Sequence, residues 1–237
     1  MTDPTKHGQL RTFGRRRGRP LRPQRAELMR DLLPLIRVPE TALAAKNLDP
    51  RALFDRRPKE VWLELGFGAG EHLAAQAALH PDFGFIGCEP FENGVAVLLS
   101  HVAAGNLSNI RVLPDDGRPL VEALGDASVA RIFVLFSDPW PKKRHHRRRL
   151  VSAAMLDQFA RILADGGGLR LATDDMAYAA EMDTLTAAHE AFERIGGGMT
   201  ARGWRPADAP QSRYEQKARR LGDLPVFIDC RRRRRAG

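Results

Sequence analysis

The sequence predicts a doubly wound α/β fold, a mostly parallel sheet with helices on both faces. Three observations carry that prediction. From Glu60 onward, short apolar runs alternate with stretches of helical periodicity, as strand–helix–strand units require. The run 131–136 (RIFVLF) is apolar enough to be buried on both faces, which is typical of parallel sheets. A glycine-rich turn directly follows the first strand, where open α/β sheets bind their ligands. A chain of 237 residues, 43% of them hydrophobic, suffices for one packed domain with a small appendage.

The elements follow in order. Residues 1–23 form a flexible basic arm punctuated by Gly14, Gly18, Pro20 and Pro23. Residues 24–59 are a helix, with Leu28, Leu32, Leu33 and Ile36 on one face, and a polar connection. The remaining domain, 60–237, carries strands at 61–65, 83–88, 110–113, 131–136 and 169–172. Helices are expected at 71–79, 91–103, 152–163 and 175–189, the third closed by Asp165-Gly166-Gly167-Gly168. Gly196 to Gly198 then precede two extended segments, the last at 226–230.

No apolar run approaches the roughly 18 residues of a membrane span, and the N-terminus lacks the apolar core of a secretory signal. Cys88 and Cys230 have no metal-ligand spacing. A reduced, cytoplasmic protein without metal, membrane contact or obligate protein partner is expected. The net charge of +9 is concentrated in three places. Residues 1–25 hold eight Lys or Arg against Asp3 alone, 142–149 hold six with two histidines, and 231–235 are all Arg. The rest of the chain is acidic. An Arg-rich codon bias explains Arg over Lys but not clustering, so a polyanionic partner is expected. The Arg tail either touches RNA or aids solubility.

The turn Gly66-Phe67-Gly68-Ala69-Gly70 follows Glu64 and is followed by Glu71. A dinucleotide fingerprint would place glycine where Glu71 stands, and an acid there opposes a pyrophosphate. It suits S-adenosyl-L-methionine, which carries a sulfonium and no phosphate. Glu89 ends the second strand at the distance of a ribose-hydroxyl acceptor. Asp116 follows the third and could accept from an adenine amino group. A tight structural turn and solvated loop acids are the plain alternatives for each feature alone.

The segment 136–149, FSDPWPKKRHHRRR, is the most informative. A buried strand delivers Asp138 to the sheet rim, Pro139 and Pro141 stiffen the exit, and Trp140 offers a stacking face. The cations that follow suit phosphates.

With RTFGRRRGR (11–19), ELGFGAGEHL (64–73), LATDD (171–175) and SRYEQKARRLG (212–222), that block resembles the bacterial tRNA (guanine-N7)-methyltransferases. The resemblance spans nearly the whole chain. Ser137 stands where the family usually has Pro, and Ser212-Arg213-Tyr214-Glu215 where it usually has Thr-Lys-Phe-Glu. It implies a Rossmann-like class I methyltransferase acting on the variable-loop guanine of tRNA. It implies S-adenosyl-L-methionine contacts from Glu64, Gly66, Gly68, Gly70, Glu89, Asp116 and Asp138, with Asp138 catalytic. Substrate contacts would come from Lys142, Asp174, Ser212, Arg213, Tyr214 and Glu215. Arg144, His145, His146, Arg147, Arg148 and Arg149 would face RNA. A methyltransferase for a small molecule or protein, and a catalytically silent RNA-binding protein, are the alternatives.

Overall fold

The computed structural model describes residues 16–210 and 224–235. Five parallel strands, β1 (Val61–Leu65), β2 (Gly84–Cys88), β3 (Ile110–Leu113), β4 (Val129–Leu135) and β5 (Leu163–Thr173), form the body of one sheet. β6 (Phe192–Gly197) and β7 (Val226–Arg232) complete it in the order β3-β2-β1-β4-β5-β7-β6, with β7 antiparallel to both neighbours. The chain winds outward from β1 in one direction and from β4 in the other. That reversal opens a crevice at the carboxyl ends of β1 and β4.

Side chains alternate across the pleat. Trp62, Phe85 and Phe133 pack with α2 (Leu33–Ile36), α4 (Glu71–Leu79) and α5 (Glu92–Gly105) on one face. Leu63, Ile86 and Ile132 pack on the other with α3 (Glu40–Leu43), α6 (Arg118–Ala123), α7 (Ala153–Ile162) and α8 (Met176–Ala188). Both faces are covered, as expected. No helix among the described residues is long and apolar enough to cross a membrane.

Several elements differ from expectation. The first helical stretch splits into α1 (Pro23–Asp31) and α2, because Pro34 has no N–H for a continuous helix. α6 was hidden by its shortness and its Pro119. β5 begins directly after α7, and Asp165 to Gly168 lie within it rather than in a loop. Between the pairs Val129–Leu163 and Arg131–Gly168 the ladder slips, and Gly166 takes a φ of +80°. The strand at the glycines takes in Gly196 and Gly197 rather than following them, and a short 3-10 turn (Met199–Ala201) comes after Gly198.

The arm expected to be flexible falls largely on residues 1–15, outside the described residues. Its remainder is tied to the start of α5. Glu92 N–H donates to Arg16 O (2.9 Å), Gly18 N–H to Asn93 Oδ1 (2.8 Å), and Asn93 Nδ2 to Arg19 O (2.8 Å).

The Arg tail has a use that charge alone did not suggest. Arg235 Nη2 donates to the carbonyls of Ala160 (3.1 Å), Arg161 (2.8 Å) and Leu163 (3.0 Å), and Arg232 Nε donates to Ala160 O (2.8 Å). These carbonyls lie at and just beyond the C-terminal end of α7, where cations also complement the helix dipole. Arg235→Ala should therefore cost about 1–2 kcal/mol, read as a Tm lowered by several degrees in thermal melting. An unchanged Tm would return this residue to the solvent-exposed set.

Candidate active site

A cavity of about 370 Å³ occupies the crevice, lined by Gly66 to Ala69, Glu64, Glu89, Asp116, Asp138 and Trp140, among others. The glycine turn is its wall. Gly66, Gly68 and Gly70 all have positive φ (75°, 57° and 74°), a region that favours glycine. A Cβ on Gly70 would meet Leu98 at 2.6 Å, whereas one on Gly66 would enter open space. Gly66 thus leaves a backbone cradle that a ligand can approach closely.

Glu89 ties this turn to the next helix. Its Oε2 accepts from Gly68 N–H (2.8 Å) and its Oε1 from Phe91 N–H (2.9 Å). Burial pushes the Glu89 carboxyl up, with help from the charges of Asp138 and Glu64, while the two backbone bonds act in the opposite direction. Acids crowded around one cavity are relieved by a cationic ligand. Asp116 is held by Arg118, whose backbone N–H donates to Oδ1 (3.0 Å) and whose Nη1 donates to Oδ2 (2.8 Å). Strand order sets the acids across the crevice as Asp116, Glu89, Glu64 and Asp138, from β3 to β4.

The exit of β4 is strained. Phe136 and Trp140 adopt φ of +55° and +44°, unusual for bulky residues, and they flank exposed Asp138. Trp140 lines the cavity with the Arg148 guanidinium 4.9 Å over its ring. Lys142, Lys143, Arg144 and Arg147 are exposed on the 3-10 turn Lys143–Arg148 and its flank, with His145 and His146 half-buried. The cationic neighbourhood, after burial, lowers the pKa of His145.

Over residues 58–226 the chain matches the family model described as "Putative methyltransferase". It is 48% identical to the tRNA (guanine-N(7)-)-methyltransferase of Rhodospirillum rubrum, covering 95% of this chain and 89% of that one. Identity to the same-named protein of Paramagnetospirillum magneticum is 50%, over 95% and 94%. The chain belongs to the tRNA (guanine-N(7)-)-methyltransferase family. Solved structures share its fold. An rRNA methylase from Streptococcus thermophilus aligns at TM-score 0.52 and 11% identity over 81% of this chain and 92% of that one. The 16S rRNA methyltransferase KamB aligns at 0.53 and 15% over 75% and 89%.

Not every expected residue lies at the surface or in the cavity lining. Arg149 departs from the RNA-facing set. It is 4% exposed, donates from Nε to Pro139 O (2.7 Å), pairs with Glu181 and lies 4.7 Å over the Tyr178 ring. It braces the exit loop with its guanidinium turned into the protein. Asp174 is exposed just beyond β5, outside the cavity lining, on the strand end beside that of Asp138. Ser212, Arg213, Tyr214 and Glu215 lie outside the described residues.

Two features of this methyltransferase site escaped the sequence. One is the buried pair Glu64–His72. The other is a charged row under the cavity. Arg170 donates to Asp229 (2.7 and 2.8 Å) and Asp208 (2.8 Å), and Arg131 donates to Asp208 (2.9 Å). A charge inside an apolar strand, as at Arg131, Arg170 and Asp229, signals a buried partner. The row pins the segment before β7, whose Ala209 and Pro210 line the cavity.

Burial alone would push the Asp208 carboxyl up. Its bonds to Arg131 and Arg170, and their charges, outweigh that and hold it at about 2. A carboxyl lowered from an ordinary ~3.9 stabilises the fold fully above that value and loses this contribution as pH falls toward 2. The Tm difference between wild type and Asp208→Asn should be constant from about pH 8 to 5 and close below about pH 4. A difference that widens on acidification would contradict the assignment.

Proposed function

We propose that this protein transfers the methyl group of S-adenosyl-L-methionine to N7 of the variable-loop guanine in tRNA. The observation that carries the proposal is one cavity with acids within and cations at its rim. The acids stand at the ends of β3, β2, β1 and β4, and the basic 3-10 turn begins five residues beyond Asp138. The names of the relatives supply the base and atom. The open cradle at Gly66, the acidic lining and the apolar walls from Leu65 and Phe67 fit S-adenosyl-L-methionine, the family's methyl donor.

Asp116 and Glu89 would accept from the adenine amino group and the ribose hydroxyls. When bound, the cofactor supplies an electrophilic methyl: guanine N7 forms a bond to carbon as the carbon–sulfur pair leaves with sulfur, giving S-adenosylhomocysteine. N7 carries an in-plane lone pair and no proton, so no strong base is required. The protein's tasks are alignment and management of charge. Asp138, exposed at the rim beside Trp140, orients the base and stabilises the cation that develops on the purine. Trp140 offers a stacking face, Lys142 a donor to O6 or a phosphate, and Asp174 with Glu215 acceptors for N1–H and N2–H. Ser212, Arg213 and Tyr214 would contact the substrate together with Glu215. Arg144, His145, His146, Arg147 and Arg148 face the RNA backbone.

The test is direct. Incubation with the cofactor and unmodified tRNA transcripts, digestion and mass spectrometry should yield 7-methylguanosine, and none from a transcript lacking the variable-loop guanine. Product from both would overturn the position, and product from neither the substrate. Asp138→Ala should lower turnover by about 10²–10³-fold with tRNA affinity nearly kept, and unchanged turnover would remove it from the mechanism. Replacing Arg144 and Arg147 by Ala should reduce the slope of log affinity against log salt by roughly 1–2. An unchanged slope would place these cations away from phosphates.

A further inference from the structure

We infer that His72 is a positioning residue for the cofactor: it holds Glu64 in place for the cationic amino-acid end of S-adenosyl-L-methionine. The inference rests on the cofactor reading of the cavity given above.

His72 sits in the first turn of α4, and Glu64 is the penultimate residue of β1. His72 Nδ1 lies 2.7 Å from Glu64 Oε2, with side chains only 6% and 3% exposed. Both residues line the cavity. The imidazole is fixed on its other side by Phe133, edge-on at 4.7 Å and 62°. Its Nε2 is buried, with no hydrogen-bond partner among the described residues. The acceptor decides the tautomer. The Glu64 carboxylate offers only lone pairs, so a neutral imidazole at this distance carries its proton on Nδ1. Nδ1–H therefore donates to Oε2, which fixes the rotation of the carboxylate.

Strand order says what Glu64 then faces. With adenine at Asp116 on β3 and ribose at Glu89 on β2, the next position along the sheet is Glu64 on β1, ahead of Asp138 on β4. The group beyond the ribose is the amino-acid end, whose ammonium suits a fixed carboxylate.

Calorimetry on the full chain tests this with three probes: S-adenosyl-L-methionine, S-adenosylhomocysteine and adenosine, which lacks the amino-acid end. His72→Leu should weaken the first two by at least about tenfold and leave adenosine unchanged. His72→Asn, which can place an amide N–H near the position of Nδ1, should restore most of the loss. In turnover assays His72→Leu should raise KM for the cofactor with kcat nearly unchanged. Equal loss of all three probes, no loss of any, or failure of His72→Asn to rescue would overturn the inference and leave His72 as packing. A wild type that binds none of the probes would reject the cofactor reading itself.

Discussion

The site depends on one carboxylate. Glu89 accepts from the backbone of Gly68 with one oxygen and from Phe91 with the other, so the turn after β1 and the start of α5 form one rigid corner. Neither N–H belongs to a helix or sheet ladder, and each would be costly to leave unmet in this buried place. The corner closes only because of glycine. A Cβ on Gly94 would lie 2.3 Å from the Gly68 carbonyl oxygen, so α5 approaches the turn at a distance no other residue allows. The cavity wall, the packing of α5 over the sheet and the docking of residues 16–19 on Asn93 all follow from that corner.

Charge is distributed with a matching logic. Inside the crevice the acids lack enough cations to balance them, and a cationic ligand completes the set. Elsewhere, buried charges are already matched: Arg170 with Asp229 and Asp208, and Arg149 with Glu181. The basic segments that look alike in the sequence therefore divide into two kinds. Arg232, Arg235 and Arg149 are spent on carbonyls and carboxylates of the protein itself. Lys142, Lys143, Arg144 and Arg147 stand exposed on the turn, and its flank, that brings Arg148 into the cavity lining. A run of positive charge marks an RNA surface only where the backbone leaves it unspent.

Much of this was legible in the sequence because it is local. Apolar runs of strand length gave β1 and β3 to the residue and β2 and β4 to within two, and the glycine turn with Glu89, Asp116 and Asp138 gave the edge of the cavity. What escaped was long-range or depended on spent donors. Arg149 sits in a basic run, and nothing nearby in sequence says that Glu181 and Tyr178 enclose it. Nothing marked the Arg tail as a cap for α7, since the carbonyls it meets lie some seventy residues away. The slip in β5 was masked because Asp165-Gly166-Gly167-Gly168 has the chemistry of a helix stop, while the strand absorbs it as an irregularity. His72 was overlooked for another reason: a histidine in an amphipathic helix carries no signal until Glu64 is known to face it.

In the proposed arrangement the cofactor lies across the carboxyl edge of the sheet, adenine toward β3 and the reacting sulfur toward β4. A crystal structure with S-adenosylhomocysteine tests it most directly. The expected result is the adenine beside Asp116, both ribose hydroxyls within hydrogen-bond distance of Glu89, and the sulfur facing the rim between Asp138 and Trp140. A ligand in the reverse orientation, or one seated away from the Gly66 cradle, would contradict it.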